Sequence, residues 1–341
     1  MRLILFVVGS WARHVSRKNS TSGSFKLSCR RMSSGAPVDG SKLKVLDGGL
    51  GSELEHSYPI LDNPLWSASL LHSDLEAIKN AHVRFLKAGA EVIITASYQA
   101  SVEGFCEFLN ISKEEAVGLI KCSATLAHEA RKEYQRSTKQ TDIVIAGSVG
   151  PYGACQHDSS EYHGKYVDTV PADTIKEWHR PRISALLSAG VDLLAVETLP
   201  ALTEAVIITD LLKEFPQAKA WFCFTCKDEE HTCYGDKFSE VVATLSPHPQ
   251  VFGVGINCST PCHVTPLLES AQTNRTKKPF IVYPNSETCK RAWQLCSDSS
   301  QPPASYVEKW VGLGARWIGG CCHTTPEDIK QIREKMDNIS L

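Results

Sequence analysis

The chain has 341 residues, with 36 Lys and Arg against 38 Asp and Glu, a formal net charge of -2. That near balance excludes the electrostatic footprint of a nucleic-acid or anionic-membrane partner. Hydrophobic content of 42% and charged content of 22% are ordinary for a globular chain, and the length admits two small domains or one large α/β barrel. Thirteen cysteines, odd in number and scattered along the chain, favour reduced thiols over a disulfide scaffold.

Residues 1–35, "MRLILFVVGSWARHVSRKNSTSGSFKLSCRRMSSG", hold seven Lys or Arg, and the first acid is Asp39. The run "LILFVV" is too short to span a bilayer. The acid-poor, Arg- and Ser-rich character fits a mitochondrial transit peptide, the short apolar core a weak secretory signal, and a functionless upstream extension fits equally. Met32 is a second candidate start. Residues 1–41 are therefore expected to form a poorly ordered extension and residues 42–341 a single domain, with a cytoplasmic location.

From Lys44 onward, short β-rich runs alternate with longer amphipathic ones. "KVLDG" (44–48) reads as a strand, and "SDLEAIKNAHVRFLKAG" (73–89) as a helix that opens on a cap and stops at glycine. "EVIITAS" (91–97) is followed by a helix over 112–134 whose Ser-x-x-Glu start is a capping box. "IVIAGSVG" (143–150) leads to a helix over 171–190, and "LLAVET" (193–198) to one over 202–215. Strands at 220–226, 251–258, 280–285 and 316–322 precede helices at 238–245, 263–272, 304–314 and 325–336. The strands are almost continuously apolar, as strands covered on both faces should be. Eight strands alternating with eight helices predict a (β/α)8 barrel, with a doubly wound open sheet as the other candidate.

A barrel carries its chemistry at the C-terminal ends of its strands. Those ends hold Asp47, Ser97, Glu197, Cys258, Tyr283, Asn285, Cys321 and Cys322, a polar and metal-ligating set that core packing does not explain. The last two stand in "IGGCCHTTPEDI" (318–329). Gly319 and Gly320 let the backbone turn, and Thr325 with Pro326 starts the next helix. Cys321 and Cys322 thus fall on the loop at the barrel mouth, where Cys258 of "GINCST" would join them. Three thiolates there would hold zinc and leave its fourth position open, as catalytic zinc requires.

Other cysteines read more blandly. Cys106, Cys122, Cys155, Cys289 and Cys296 suit small buried hydrophobes. Cys223 and Cys226 would point to opposite faces of their strand. Cys262 falls where a helix begins and is a poor rival ligand.

Six stretches, "VLDGGLGSELE" (45–55), "AGSVGPYGA" (146–154), "AVETLP" (195–200), "GINCST" (255–260), "VYPNS" (282–286) and "IGGCCHTTPEDI" (318–329), together resemble the zinc-dependent homocysteine S-methyltransferases. The likeness runs from about residue 43 to 336 and is nearest to the S-methylmethionine-using branch, since the betaine-using branch carries a longer C-terminal arm. It implies zinc on Cys258, Cys321 and Cys322, and a homocysteine site at Asp47, Gly48, Gly49 and Glu197. Two stretches depart from the family pattern. Ala96 stands where Asn is usual, and residues 155–166 differ around the donor pocket.

The chemistry implied is methyl transfer from a sulfonium donor, S-methylmethionine or S-adenosylmethionine, to homocysteine. Zinc would ionise the acceptor thiol, Tyr98, Tyr152, Tyr162 and Tyr283 would offer ring faces to the cationic donor, and Asp47 and Glu197 would suit an amino group. Tyr283 and Asn285 are counted with the substrate residues. Betaine as donor, and a non-catalytic zinc or thiol redox sensor built on Cys321 and Cys322, are the alternatives. The expected partners are small molecules alone, with the protein a monomer or weak oligomer.

Overall fold

The computed structural model describes residues 38–274, 277–286 and 301–339. Most of the expected N-terminal extension, and Cys289 and Cys296, lie outside them. Eight parallel strands run β1 (Lys44–Val45), β2 (Val92–Ile94), β3 (Val144–Val149), β4 (Leu193–Leu199), β5 (Ala220–Phe224), β6 (Val251–Asn257), β7 (Phe280–Tyr283) and β8 (Ala315–Ile318). They pair in the order β1-β8-β7-β6-β5-β4-β3-β2. A parallel bridge between Leu46 and Val92 brings the two ends of the sheet together, with Asp47 N donating to Val92 O at 3.0 Å. The sheet is therefore the expected (β/α)8 barrel and not an open doubly wound one.

Around it lie α1 (Leu50–Glu55), α2 (Leu70–Ser73), α3 (Leu75–Lys87), α4 (Val102–Leu109), α5 (Lys113–Ser137), α6 (Ala172–Ser188), α7 (Leu202–Leu212), α8 (Phe238–Leu245), α9 (Pro261–Ser270), α10 (Val307–Gly312) and α11 (Pro326–Asp337). The Ser112 and Glu115 capping box forms at the start of α5 as its spacing predicts. Thr325 and Asp328 form a second at α11. Helix α3 is capped by Asp74, one residue later than expected, because the Asp74 carboxylate accepts from Ala77 N.

Strand alternation sorts the core into two layers. Leu193, Ala195, Trp221, Cys223, Ile281, Tyr283 and Trp317 fill the barrel interior. Leu194, Val196, Phe222, Val254, Ile256, Val282 and Ile318 face the helices. On β6 the interior positions are thus Gly253, Gly255 and Asn257. A Cβ at Gly255 would stand 1.7 Å from Ile281 O, so a neighbouring strand occupies the space of a side chain. The aromatic rings of Trp221 and Trp317, edge-on at 5.7 Å, fill the volume the glycines leave.

One buried group makes the fold acid-sensitive. His82 on α3 is fully buried, and neither ring nitrogen has a hydrogen-bond partner. Burial pushes its pKa down from 6.5 to about 4. The folded state therefore binds fewer protons than the unfolded one between those pH values. The contribution is intact above about pH 6.5 and lost as pH falls towards 4, a change on the order of 3 kcal/mol. In His82→Leu the fall in urea midpoint between pH 7 and pH 5 should shrink. An unchanged fall would place the acid sensitivity elsewhere.

Candidate active site

The sulfur atoms of Cys258, Cys321 and Cys322 lie within 4.8 Å of one another, with Cys258 Sγ and Cys322 Sγ 3.8 Å apart. Two sulfurs each ~2.3 Å from one tetrahedral ion would be separated by roughly the same distance. Cys258 and Cys322 are buried and Cys321 is half-buried. The neighbouring thiols of Cys321 and Cys322, with burial, hold the Cys258 thiol well above its ordinary range. Cys321 is raised too, because the Cys322 thiol, burial and the Glu197 charge outweigh the opposing hydrogen bond with Cys258. Three thiols so close, two of them buried, cannot ionise together without a cation, so the donor set fits a metal ion.

The ligand residues reach this geometry by different routes. On β8, Trp317 points inward, so alternation turns Gly319 and then Cys321 the same way. On β6, alternation would turn Cys258 out towards the helices. Its backbone instead adopts φ +49, the left-handed region that non-glycine residues seldom occupy, which redirects the side chain to the mouth. Asn285 was expected at the substrate. It is absent from the residues that line the pocket, and its carboxamide accepts Cys322 N at 3.1 Å. It supports the loop that carries Cys321 and Cys322.

Gly48 and Gly49 line the pocket floor. A Cβ on Gly49 would lie 2.4 Å from Cys321 O, so the loop after β1 packs directly under the metal loop. Gly49→Ala should displace Cys321 and weaken metal binding about tenfold or more, as disturbed support around metal ligands does. A chelator-competition titration equal to the parent's would contradict this contact.

Asp47 and Glu197 also face the pocket. Asp47 Oδ2 accepts Ile94 N at 2.8 Å, and Glu197 is held by the Ser148 hydroxyl. Burial raises Asp47 well above the usual carboxylate range, the Ile94 hydrogen bond opposes it, and the Glu197 charge adds to it. Burial likewise brings Glu197 to about 7, against hydrogen bonds from Ser148 and Tyr283. Two such carboxyls need a cation to ionise together.

The expected aromatic residues divide. Tyr98, Tyr162 and Tyr283 line the pocket, with the Tyr162 hydroxyl 3.8 Å from Cys258 Sγ. The Tyr283 hydroxyl accepts from Trp221 Nε1 at 3.0 Å and bonds Glu197, so it braces a carboxylate more than it presents a ring. Tyr152 does not reach the pocket. It packs against Tyr166 and Trp178, and its N–H is held by Glu204 at 2.7 Å.

Sequence reasoning missed Trp66 and Ser148. Trp66 lines the pocket, sits at φ +47, and has a buried Nε1 with no hydrogen-bond partner. Its segment has no periodicity to mark it; the only sequence signal is a Trp in the irregular stretch "DNPLWSAS". Ser148 on β3 was recoverable from alternation, since Ala146 two residues earlier faces inward. Cys262 is disulfide-bonded, against the expectation of reduced thiols throughout, while nine other described cysteines are free. Among the described residues no helix is long and apolar enough to cross a membrane.

A closed parallel barrel that gathers three convergent thiols beside two buried carboxyls at its mouth is an α/β barrel with a donor set that could hold a metal ion. Residues 44–336 match the family model described as homocysteine S-methyltransferase. The homocysteine S-methyltransferase YbgG of Bacillus subtilis is 42% identical over 303 residues, covering 86% of this chain and 95% of the relative. A betaine-homocysteine S-methyltransferase of Drosophila melanogaster is 36% identical, covering 89% and 97%. The metallated crystal form of the Escherichia coli homocysteine methyltransferase MmuM superposes with a TM-score of 0.77 at 40% identity, covering 86% and 96%. The chain belongs to the homocysteine S-methyltransferase family.

Proposed function

We propose that the protein moves a methyl group from a sulfonium donor, S-methylmethionine or less readily S-adenosylmethionine, to the sulfur of homocysteine, yielding methionine. The observation that carries this reading is the meeting of the thiols of Cys258, Cys321 and Cys322 in one pocket with the carboxyls of Asp47 and Glu197. Zinc is the ion assigned to the three cysteines, because thiolate sets favour it and it brings no redox chemistry of its own. When bound there, zinc would let the acceptor thiol ionise at neutral pH.

The remaining work falls to the chain. Asp47 and Glu197 receive the acceptor's ammonium group, and its positive charge lets both buried carboxyls ionise. Trp66, Tyr98 and Tyr162 place apolar ring faces around the donor, where a sulfonium is attracted to π density. The methyl–sulfonium bond breaks as the new carbon–sulfur bond forms, with the electron pair coming from the acceptor sulfur. Charge on both partners falls in that step, and a pocket that excludes water favours it.

The choice of donor rests on charge. Among the described residues that line the pocket, two are carboxylic acids and none is Lys, Arg or His. A donor with net positive charge suits that lining better than betaine, which is net neutral. A donor panel with homocysteine and a labelled methyl group tests the reading. Label should enter methionine fastest from S-methylmethionine. Fastest transfer from betaine would reassign the donor, and no transfer from any would overturn the proposal in favour of a thiol sensor.

A further inference from the structure

Asn257 is the last residue of β6 and points into the barrel, one residue before the metal-ligating Cys258. It is fully buried, yet it is absent from the pocket lining. Both ends of its carboxamide are spent on one residue of another strand end. Thr198 N donates to Asn257 Oδ1 at 2.7 Å, and Asn257 Nδ2 donates to Thr198 Oγ1 at 2.8 Å. The amide's orientation follows from this pairing, because a backbone N–H can only donate.

Thr198 is itself anomalous. It sits at φ +58, a left-handed conformation that a β-branched residue adopts only when its surroundings impose it. Cys258, on the other side of Asn257, is left-handed as well, at φ +49. Two strained residues thus flank one amide: one follows Glu197, the other is a metal ligand. The carbonyl of Cys258 accepts from Thr225 Oγ1 at 3.2 Å and its N–H donates to Tyr283 O at 3.3 Å, and Asn257 adds a direct side-chain link between the β4 and β6 ends.

We propose that Asn257 is a positioning residue that sets both halves of the site at once. By clamping Thr198 it keeps the end of β4 in the conformation that presents Glu197, and by doing so from the residue before Cys258 it keeps that cysteine turned over the mouth. It touches neither substrate nor metal. The assignment rests on reading Glu197 as the partner of the acceptor's ammonium group and Cys258 as a metal ligand.

The test uses the full chain loaded with zinc and three variants. Asn257→Leu keeps the branched shape and removes both hydrogen bonds. Thr198→Val removes the side-chain half of the clamp, and Thr198→Ser keeps it. Chelator competition reads metal affinity without reference to turnover. Asn257→Leu should bind zinc at least tenfold more weakly and raise the KM for homocysteine at least tenfold, while the KM for the sulfonium donor stays within twofold. Thr198→Val should raise the homocysteine KM about fivefold, and Thr198→Ser should stay within twofold of the parent. Unchanged metal affinity and homocysteine KM in Asn257→Leu would overturn the proposal, as would a general loss spread equally over donor and acceptor. Should Asn257→Leu fail to fold, the Thr198 pair decides, and equal behaviour of Val and Ser contradicts the clamp. A parent protein that holds zinc but methylates no homocysteine refutes the functional reading instead, and the chelator measurement still judges Asn257.

Discussion

Replacing Cys258, Cys321 or Cys322 by Ala is expected to remove most of the bound metal and abolish methyl transfer. A zinc ion held by three thiolates owes each of them roughly a third of its binding energy. Structural zinc sites bind with about 10–16 kcal/mol, so one lost ligand costs on the order of 3–5 kcal/mol, or about a hundred- to several thousandfold in affinity. The three thiols stand within 4.8 Å of one another, and the other described cysteines are not part of that cluster. Cys226→Ala and Cys233→Ala should therefore retain the metal and turnover, apart from the cost of buried volume. Metal content and initial rate on the same preparations decide this. A Cys321→Ala protein that keeps stoichiometric metal would show the cluster to be misassigned.

Glu197→Gln should weaken the use of homocysteine and leave the metal in place. The variant keeps the shape and the Ser148 contact but loses the negative charge that an ammonium group would meet. Hydrogen bonds to charged groups contribute about 1.5–3 kcal/mol, which is about ten- to a hundredfold in kcat/KM for homocysteine. A thiol acceptor without an amino group should be affected much less. The pH dependence carries the same signature. With its pKa at about 7, Glu197 is neutral below that pH and charged above it. The KM for homocysteine should thus rise as pH falls through about 7, and that limb should vanish in the Gln variant. Loss of metal, or equal harm to both thiols, would make Glu197 a support of the metal site.

How much of this was legible in the sequence depended on periodicity. The eight strands and the long helices such as α5 announce themselves by continuous apolar runs, caps and glycine stops, and these elements form where expected. Strand alternation also places Cys321 correctly, in line with Trp317 on the inward face. It would have misplaced Cys258, whose left-handed backbone is set by tertiary contacts that no local pattern encodes. Its place at the C-terminal end of a barrel strand supplied what alternation could not, and the family resemblance agreed.

Two other expected residues lie outside the pocket lining. Asn285 and Tyr152 sit beside strand ends in the sequence, but a polar residue there can as readily hold a loop as meet a ligand. Their carboxamide and amide N–H are taken up by Cys322 and Glu204 respectively. Trp66 was invisible because residues between α1 and α2 follow no repeat and form only short 3-10 turns. Helix α4 also escaped notice, since its eight residues are too few for periodicity to separate it from the preceding loop.

X-ray absorption at the zinc edge, on the reduced protein before and after homocysteine is added, tests the central claim most directly. The account predicts about one zinc per chain with three sulfur neighbours at ~2.3 Å, rising to four when homocysteine is present. A zinc shell without sulfur, or a sulfur count that homocysteine leaves unchanged while methionine is still produced, would contradict it.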